Sequence, residues 1–504
     1  MSRPLFAWVG DDFTGASDTL ATLATGGARA LLFLEVPTDA RLAAVGPLEA
    51  VGVATAVRSM APAAMRDVLA PIANWLADSG VPVIHYKVCS TWDSAPGTGN
   101  IGEAVRTLWR PAYAPWVPLV GGQPSLGRWC VHGQLFAQAG AGGPVYRIDR
   151  HPTMSRHPVT PMGEARLAVH LAAQGCAPVA RVDLAAFAGG PAAIDVALAL
   201  ALAPMGRSVS NGAAAGVADV ADVADVAGVA DAAYTARTAH IARTARTART
   251  ARTAHFARTD APDRASAAPR TVLFDTLDAA HLAATGAAIA RHAHGRTVLA
   301  VGASSVAQAM LAHWRASGVL AAAVEPSIAR AAVAPARGPV FVLAGSLSPL
   351  SARQVAEARA YERVALDAGR LAAGDAGYLE VTARAIGARL AQGAHVLAGT
   401  SIAGPAPRGA DPALAPACGA LLAAVLAQSR CARVGVVGGD TSSHAVQALA
   451  PWALGWVGRV GASSPVVRAH ADDPAVDGLE LMLKGGQMGE DDVLDRLVSG
   501  DAHR

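Results

Sequence analysis

Cysteine is scarce in this chain of 504 residues: Cys89, Cys130, Cys176, Cys418 and Cys431 are scattered, odd in number and never spaced as C-x-x-C. That argues against a disulfide framework and a zinc ribbon, and it fits a reducing compartment. Aromatic residues make up only 5% of the chain, and the charges nearly balance at a formal +3. No net field is available to hold nucleic acid or an anionic membrane surface. Long apolar runs are missing too. The most apolar helix candidate, AAIDVALALALAPM at 192–205, is too short to span a bilayer and carries Asp195. The opening MSRPLFAWVGDD meets two acids before a signal h-region can form. A cytoplasmic protein with no nucleic acid and no membrane partner is expected. No G-x-x-x-x-G-K-S/T sequence occurs, which argues against a P-loop nucleotide site.

What the chain does have is Ala, Gly and Val in abundance, suited to packing helices closely on a parallel sheet. Apolar runs of strand length alternate with Ala-rich stretches of helix length, as in LFAWVG then ASDTLATLATGG, and again in RTVLAVGASSVAQAMLAHW and ARVGVVGGDTSSHAVQAL. This alternation predicts an α/β fold built from βαβ units. The length exceeds one ordinary core, so two domains are expected, each with a mainly parallel sheet flanked by helices. Two prolines and a glycine in AAVAPARGPVF, 331–341, mark the boundary, giving domains 1–330 and 338–497.

A low-complexity insert at 207–269 repeats VAD and then ART with a period of three. That period builds neither a helix stripe nor a strand face, so disorder is expected. Its arginines, such as Arg243, Arg246, Arg249 and Arg252, suggest a nucleic-acid arm. Asp219, Asp222 and Asp225 offset them locally, and aromatics are confined to Tyr234 and Phe256, so the bland reading is preferred.

Two acids, Asp11 and Asp12, stand between the strand-like LFAWVG and a helix. A solvated turn is one reading. The other is the carboxyl end of a buried strand, where open α/β sheets bind ligands. Arg58, Lys87, Asp93, Arg128, His151 and His157 likewise lie at or just past strand ends, the arrangement that would hold a small anionic, hydroxylated substrate. Each also has an ordinary explanation as a loop charge or cap, and the two histidines are spaced unsuitably for a shared metal. In the second half, VGVVGGDTSSHAV runs a strand into Gly438 and Gly439, followed by Asp440 and Thr441. VLAGSLSPL does the same with Gly345, Ser346 and Ser348. Backbone N–H groups at such helix starts make a phosphate cradle. Lys484 before Gly485 and Gly486 offers a cation to a polyphosphate.

Taken in order, GDDFTGASD, HYKVCSTWDS, RHPVTPM, GGDTSSHAV and LKGGQMG resemble the four-carbon acid sugar kinase family, and FLEVPT with DRHPTMSRHPVTPM resembles its 3-oxo-isoapionate kinase branch. The resemblance implies ATP-dependent phosphorylation of a terminal hydroxyl of a tetronate, 3-oxo-tetronate or branched acid, with Mg²⁺, in a cleft between domains. It places the acid in the first domain at Asp11, Asp12, Thr14, Gly15, Arg58, Lys87, Ser90, Thr91 and Asp93. Arg128 and His157 are added from the residue reading. It places the nucleotide in the second domain at Gly345, Ser346, Ser348, Gly438, Gly439, Asp440, Thr441, Lys484, Gly486 and Gly489. LKGGQMG lacks the usual Ser and Phe, and Trp92 replaces a common Phe.

On this reading one carboxylate of the pair Asp11 and Asp12 accepts the hydroxyl proton, its pKa raised by its neighbour. Arg58 and Lys87 face the substrate carboxylate. The alternatives are a sensor that binds sugar acids without turnover, a ribokinase-like sugar kinase, and a haloacid-dehalogenase-like phosphatase, whose D-x-D pattern the adjacent acids do not follow. Pairing into a homodimer stays open.

Overall fold

The computed structural model describes residues 3–203, 268–320 and 332–500, apart from 141, 158, 177–178, 346–347, 403–410, 462–463 and 487. Nearly all of the repeat insert, and most of the segment leading to the expected boundary, lie outside the described residues.

The first half supplies β1 (Phe6–Gly10), β2 (Ala30–Phe33), β3 (Ala50–Ala54), β4 (Val83–Lys87) and β5 (Trp116–Val120). A separate antiparallel sheet follows: β6 (Gly122–Gln123), β7 (Arg128–Val131), β8 (Gln134–Gln138) and β9 (Val145–Arg147). The chain then returns to the main sheet with β10 (Val179–Val182), β11 (Arg270–Phe274) and β12 (Val298–Gly302). The second half adds β13 (Val340–Ala344), β14 (Glu362–Ala365), β15 (Val396–Gly399), β16 (Arg433–Val437), β17 (Ala453–Val460), β18 (Ser464–His470) and β19 (Glu480–Lys484).

The α/β fold is as expected, with two parallel blocks. β10-β11-β5-β12-β4-β1-β3-β2 are parallel throughout, and so are β19-β16-β13-β15-β14. The blocks are not separate sheets, however. The antiparallel pair β17 and β18 joins them edge to edge, Leu454 pairing with Leu32 and Val467 with Leu481, so one sheet of fifteen strands runs through both halves. Strands such as FAWVG, VLAVG and RVGVV are buried along their whole length because helices cover both faces.

Local chemistry sets the elements around the site. Asp12 caps the helix Phe13–Thr25. The helix Pro62–Ser79 opens on proline and stops at Gly80, whose φ is +63°. β7 and β8 are joined by His132 and Gly133, at φ +50° and +74°, the left-handed pair that a two-residue hairpin turn requires.

Candidate active site

β1 delivers the adjacent acids to the carboxyl end of the sheet. Asp11 N donates to Lys87 O at 3.0 Å, tying the end of β1 to that of β4, and Arg58 N donates to Asp11 O at 3.0 Å from the turn after β3. The Arg58 side chain then bridges the pair. Nη2 and Nε donate to Asp11 Oδ1 and Oδ2 at 2.8 and 3.1 Å, and Nη1 lies 2.7 Å from Asp12 Oδ2. Asp12 Oδ1 accepts from Gly15 N at 2.8 Å and Oδ2 from Thr14 Oγ1 at 2.6 Å.

The two acids differ in basicity. Burial pushes Asp11 up against the pull of Arg58, and the Asp12 charge adds to the rise. Burial acts on Asp12 too, but Arg58, Lys87 and the cap hydrogen bonds hold it below the ordinary range. The neighbour repulsion expected from the sequence is therefore a lesser cause than desolvation. All three nitrogens of Arg58, the residue expected to face a substrate carboxylate, contact the two aspartates, so its charge offsets theirs.

Two other cations stand nearby. Lys87 is buried and donates to Val88 O at 2.7 Å. It lies so close to Gly15 that a Cβ there would fall 2.3 Å from Nζ, so a side chain at residue 15 would displace the amine. Arg128 opens β7 and spends Nη1 on the carbonyls of Leu126, Gly127 and Gln138, at 2.6, 3.1 and 3.3 Å. Its Nε is buried without a hydrogen-bond partner among the described residues, and burial depresses its pKa. Neither cation forms an ion pair with a carboxylate among the described residues.

The loop after β4 completes this half of the site. Thr91 Oγ1 donates to Asp93 Oδ1, and Cys89 Sγ lies 3.0 Å from Thr91 Oγ1, with Ser90 half-buried between them. Burial would raise Asp93, but Arg58, the Thr91 hydrogen bond and His157 hold it low. His157 Nδ1 accepts from Thr160 N at 3.2 Å. Trp92 is fully buried at φ +58°, a strained conformation for a bulky residue, which fixes the loop in one shape.

The second set of residues gathers at the carboxyl ends of β13, β16 and β19. Gly345 N donates to Val437 O at 3.1 Å, and Gly438 N to Lys484 O at 2.8 Å. A Cβ on Gly345 would fall 2.4 Å from Thr441 Oγ1. Gly438 sits at φ +126°, which glycine alone adopts easily, and starts the helix Gly439–Leu449. A Cβ on Gly439 would meet nothing within 4 Å, so there is open space beside the start of the helix, with Asp440 exposed next to it. Ser348 Oγ and Ser351 Oγ both donate to Gly486 O, the latter at 3.1 Å, while Gln354 Nε2 donates to the carbonyls of Met488, Gly489 and Glu490.

Ser346 lies outside the described residues. Lys484 is fully buried, donates to Gly485 O and Met488 O at 2.9 Å each, and is pushed by burial down to about 7. It ties the terminal loop from within.

Residue reasoning missed a polar group beside the first set. Ser304 Oγ donates to Asp18 Oδ2 at 2.5 Å, Gln123 Nε2 donates to the same oxygen at 3.3 Å, and Thr19 Oγ1 lies 3.0 Å from Ser304 Oγ. Asp18 stands in the GDDFTGASD motif, but nothing local points to Ser304.

Sequence comparison agrees with this division of labour. A sugar-binding N-terminal domain model matches residues 6–252, and a nucleotide-binding C-terminal domain model matches 341–494. The chain is 31% identical over 509 positions to a 3-oxo-isoapionate kinase of Paraburkholderia graminis, covering 96% of this chain and 92% of that one. A 3-oxo-tetronate kinase of Pseudomonas fluorescens is 34% identical over 194 residues, 38% of this chain and 43% of the relative. A crystal structure of a Salmonella typhimurium LT2 protein superposes with a TM-score of 0.67 at 20% identity, covering 98% of each chain. A Haemophilus influenzae protein gives 0.60 at 21%, covering 97% of this chain and 98% of that one. At such identities these two likenesses bear on the fold alone.

The chain belongs to the four-carbon acid sugar kinase family, phosphotransferases with an alcohol acceptor. Among the described residues, no helix is long and apolar enough to cross a membrane.

Proposed function

We propose that the protein uses ATP to phosphorylate a terminal hydroxyl of a small oxo or hydroxy acid, of the 3-oxo-tetronate or branched 3-oxo-isoapionate type, in the cytoplasm. The observation that carries this is the pairing of an acid couple, Asp11 and Asp12 on Arg58, with two cations that form no ion pair among the described residues, buried Lys87 and half-buried Arg128. An anionic acceptor supplies the missing carboxylate. Its hydroxyl then lies by acids that have lone pairs to spare, since Asp12 Oδ1 receives one protein hydrogen bond. The pair orients the hydroxyl and takes its proton, and the Gly15 and Lys87 side of the helix start holds the carboxylate.

ATP supplies the phosphoryl group. The open space at Gly439 and the amides at the start of Gly439–Leu449 fit its phosphates. Among the described residues no three His, Cys, Asp or Glu side chains converge. The Mg²⁺ of this reading would be held by phosphates and water with Asp440, as is usual for this ion.

The sheet supports opposition of the two ends. β16 runs antiparallel to β1 in the ladder, yet it is six strands away. An ordinary twist of about 20–25° per step would turn it by roughly 120–150° and bring both carboxyl ends toward one side. The helices Phe13–Thr25 and Gly439–Leu449 also pack on each other. Closure of residues 1–330 on 338–497 over the two substrates completes the proposal.

The test is ADP release and ³¹P NMR on the purified protein with a panel of four-carbon and branched five-carbon acids. A phosphomonoester formed one-for-one with ADP is expected. Tight acid binding without ADP supports the sensor instead, and turnover of neutral sugars alone supports the ribokinase-like reading.

A further inference from the structure

Asp18, Gln123 and Ser304 come from three elements that meet at the carboxyl ends of β5 and β12. Asp18 lies in the second turn of the helix Phe13–Thr25, Gln123 follows β5, and Ser304 follows β12. A purely structural polar cluster satisfies itself. This one does not: Gln123 is 2% exposed and its Oε1 has no partner among the described residues, and the same holds for the fully buried Ser305 Oγ. A buried polar atom left unpaired is costly to the fold. An orphan acceptor on an amide that meets a half-buried carboxylate is the complement of a ligand that carries hydroxyls.

The place is right for the same acceptor. Gly15 and Asp18 are three residues apart on one helix face, a rise of about 4.5 Å, comparable to the span of a four-carbon acid. Gly15 adjoins Lys87 at the end of β4, and Asp18 adjoins Ser304 at the end of β12, the neighbouring strand. Gln123 is also the cross-strand partner of Arg128 in the β6 and β7 pair, which puts the two residues side by side on one ladder.

We infer that Asp18, Gln123 and Ser304 form a hydroxyl-reading subsite that sets specificity for an oxygenated carbon chain over a deoxygenated one. Asp18 and Gln123 Oε1 accept from substrate hydroxyls, and Ser304 fixes the Asp18 rotamer. This rests on the acid-kinase reading above.

The experiment compares 2,3,4-trihydroxybutanoate with its two monodeoxy analogues, by kcat/KM and by calorimetric binding, in the intact protein and in Asp18→Asn, Gln123→Met and Ser304→Ala. The intact protein should prefer the trihydroxy acid by 10-fold or more over at least one analogue. Asp18→Asn and Gln123→Met should cut that preference at least 10-fold, Ser304→Ala less, with melting curves showing that each variant folds. If a folded Asp18→Asn or Gln123→Met lowers binding of all three acids equally, the subsite is wrong. If the intact protein binds the acids with this preference but transfers no phosphate, the subsite stands and the kinase reading fails.

Discussion

The guanidinium of Arg58 grips Asp11 with two parallel hydrogen bonds, Nη2 to Oδ1 at 2.8 Å and Nε to Oδ2 at 3.1 Å. Without that fork, two adjacent buried carboxylates face each other unneutralised. Breaking such a pair by removing one partner costs about 3–5 kcal/mol, so Arg58→Ala should melt well below the parent protein at pH 8. The folded state of the variant then binds protons more tightly than the unfolded state, so its stability rises as pH falls from 8 to 5. A melting-temperature deficit that stays constant across that range would show that the acids are not coupled through Arg58.

The two glycines of the GGDT turn should respond oppositely to a side chain. Gly438 stands at φ +126°, where an L-residue is strained, and Gly438→Ala should lose roughly 1–3 kcal/mol of stability. Gly439 has open space around its Cβ direction, so Gly439→Ala should melt within a few degrees of the parent. Denaturant titration of both variants checks this, and equal losses would contradict it.

Lys484 makes stability depend on pH in an unusual sense. Burial lowers it in the folded protein to about 7, whereas an unfolded lysine keeps the ordinary value of 10.5. Between these values the unfolded chain binds more protons, so this group makes stability increase with pH from about 7 to 10.5. Lys484→Met should flatten that rise, read as melting temperature against pH from 6.5 to 9.5. An unchanged slope would mean that the amine is not enclosed in solution.

Much of this was legible in the chain. The βα alternation gave both parallel blocks, and the abrupt GDD and VVGGDT ends of apolar runs marked the strand ends where chemistry sits. What stayed hidden depended on contacts distant in sequence. No local pattern says that Arg58 forks onto Asp11, or that Ser304 meets Asp18 from 286 residues away. The junction through β17 and β2 was equally invisible, since an antiparallel pairing between halves leaves no mark on either strand. The β7 and β8 hairpin did leave a signal, alternation around His132 and Gly133, but the βαβ pattern on either side masked it.

The central claim is that the acid is held at Asp11 and Asp12 and the nucleotide at Gly438 and Gly439. Calorimetry of ATP and of the preferred acid, each titrated alone into Asp12→Asn and Gly439→Val, tests it most directly. Asparagine still caps the helix, so Asp12→Asn should bind ATP as the parent does while its turnover falls 10²-fold or more. Gly439→Val fills the space before the helix amides, so it should weaken ATP binding at least 10-fold and leave acid binding unchanged. The reverse pattern in normally folded variants, ATP lost in Asp12→Asn or acid lost in Gly439→Val, would contradict the account.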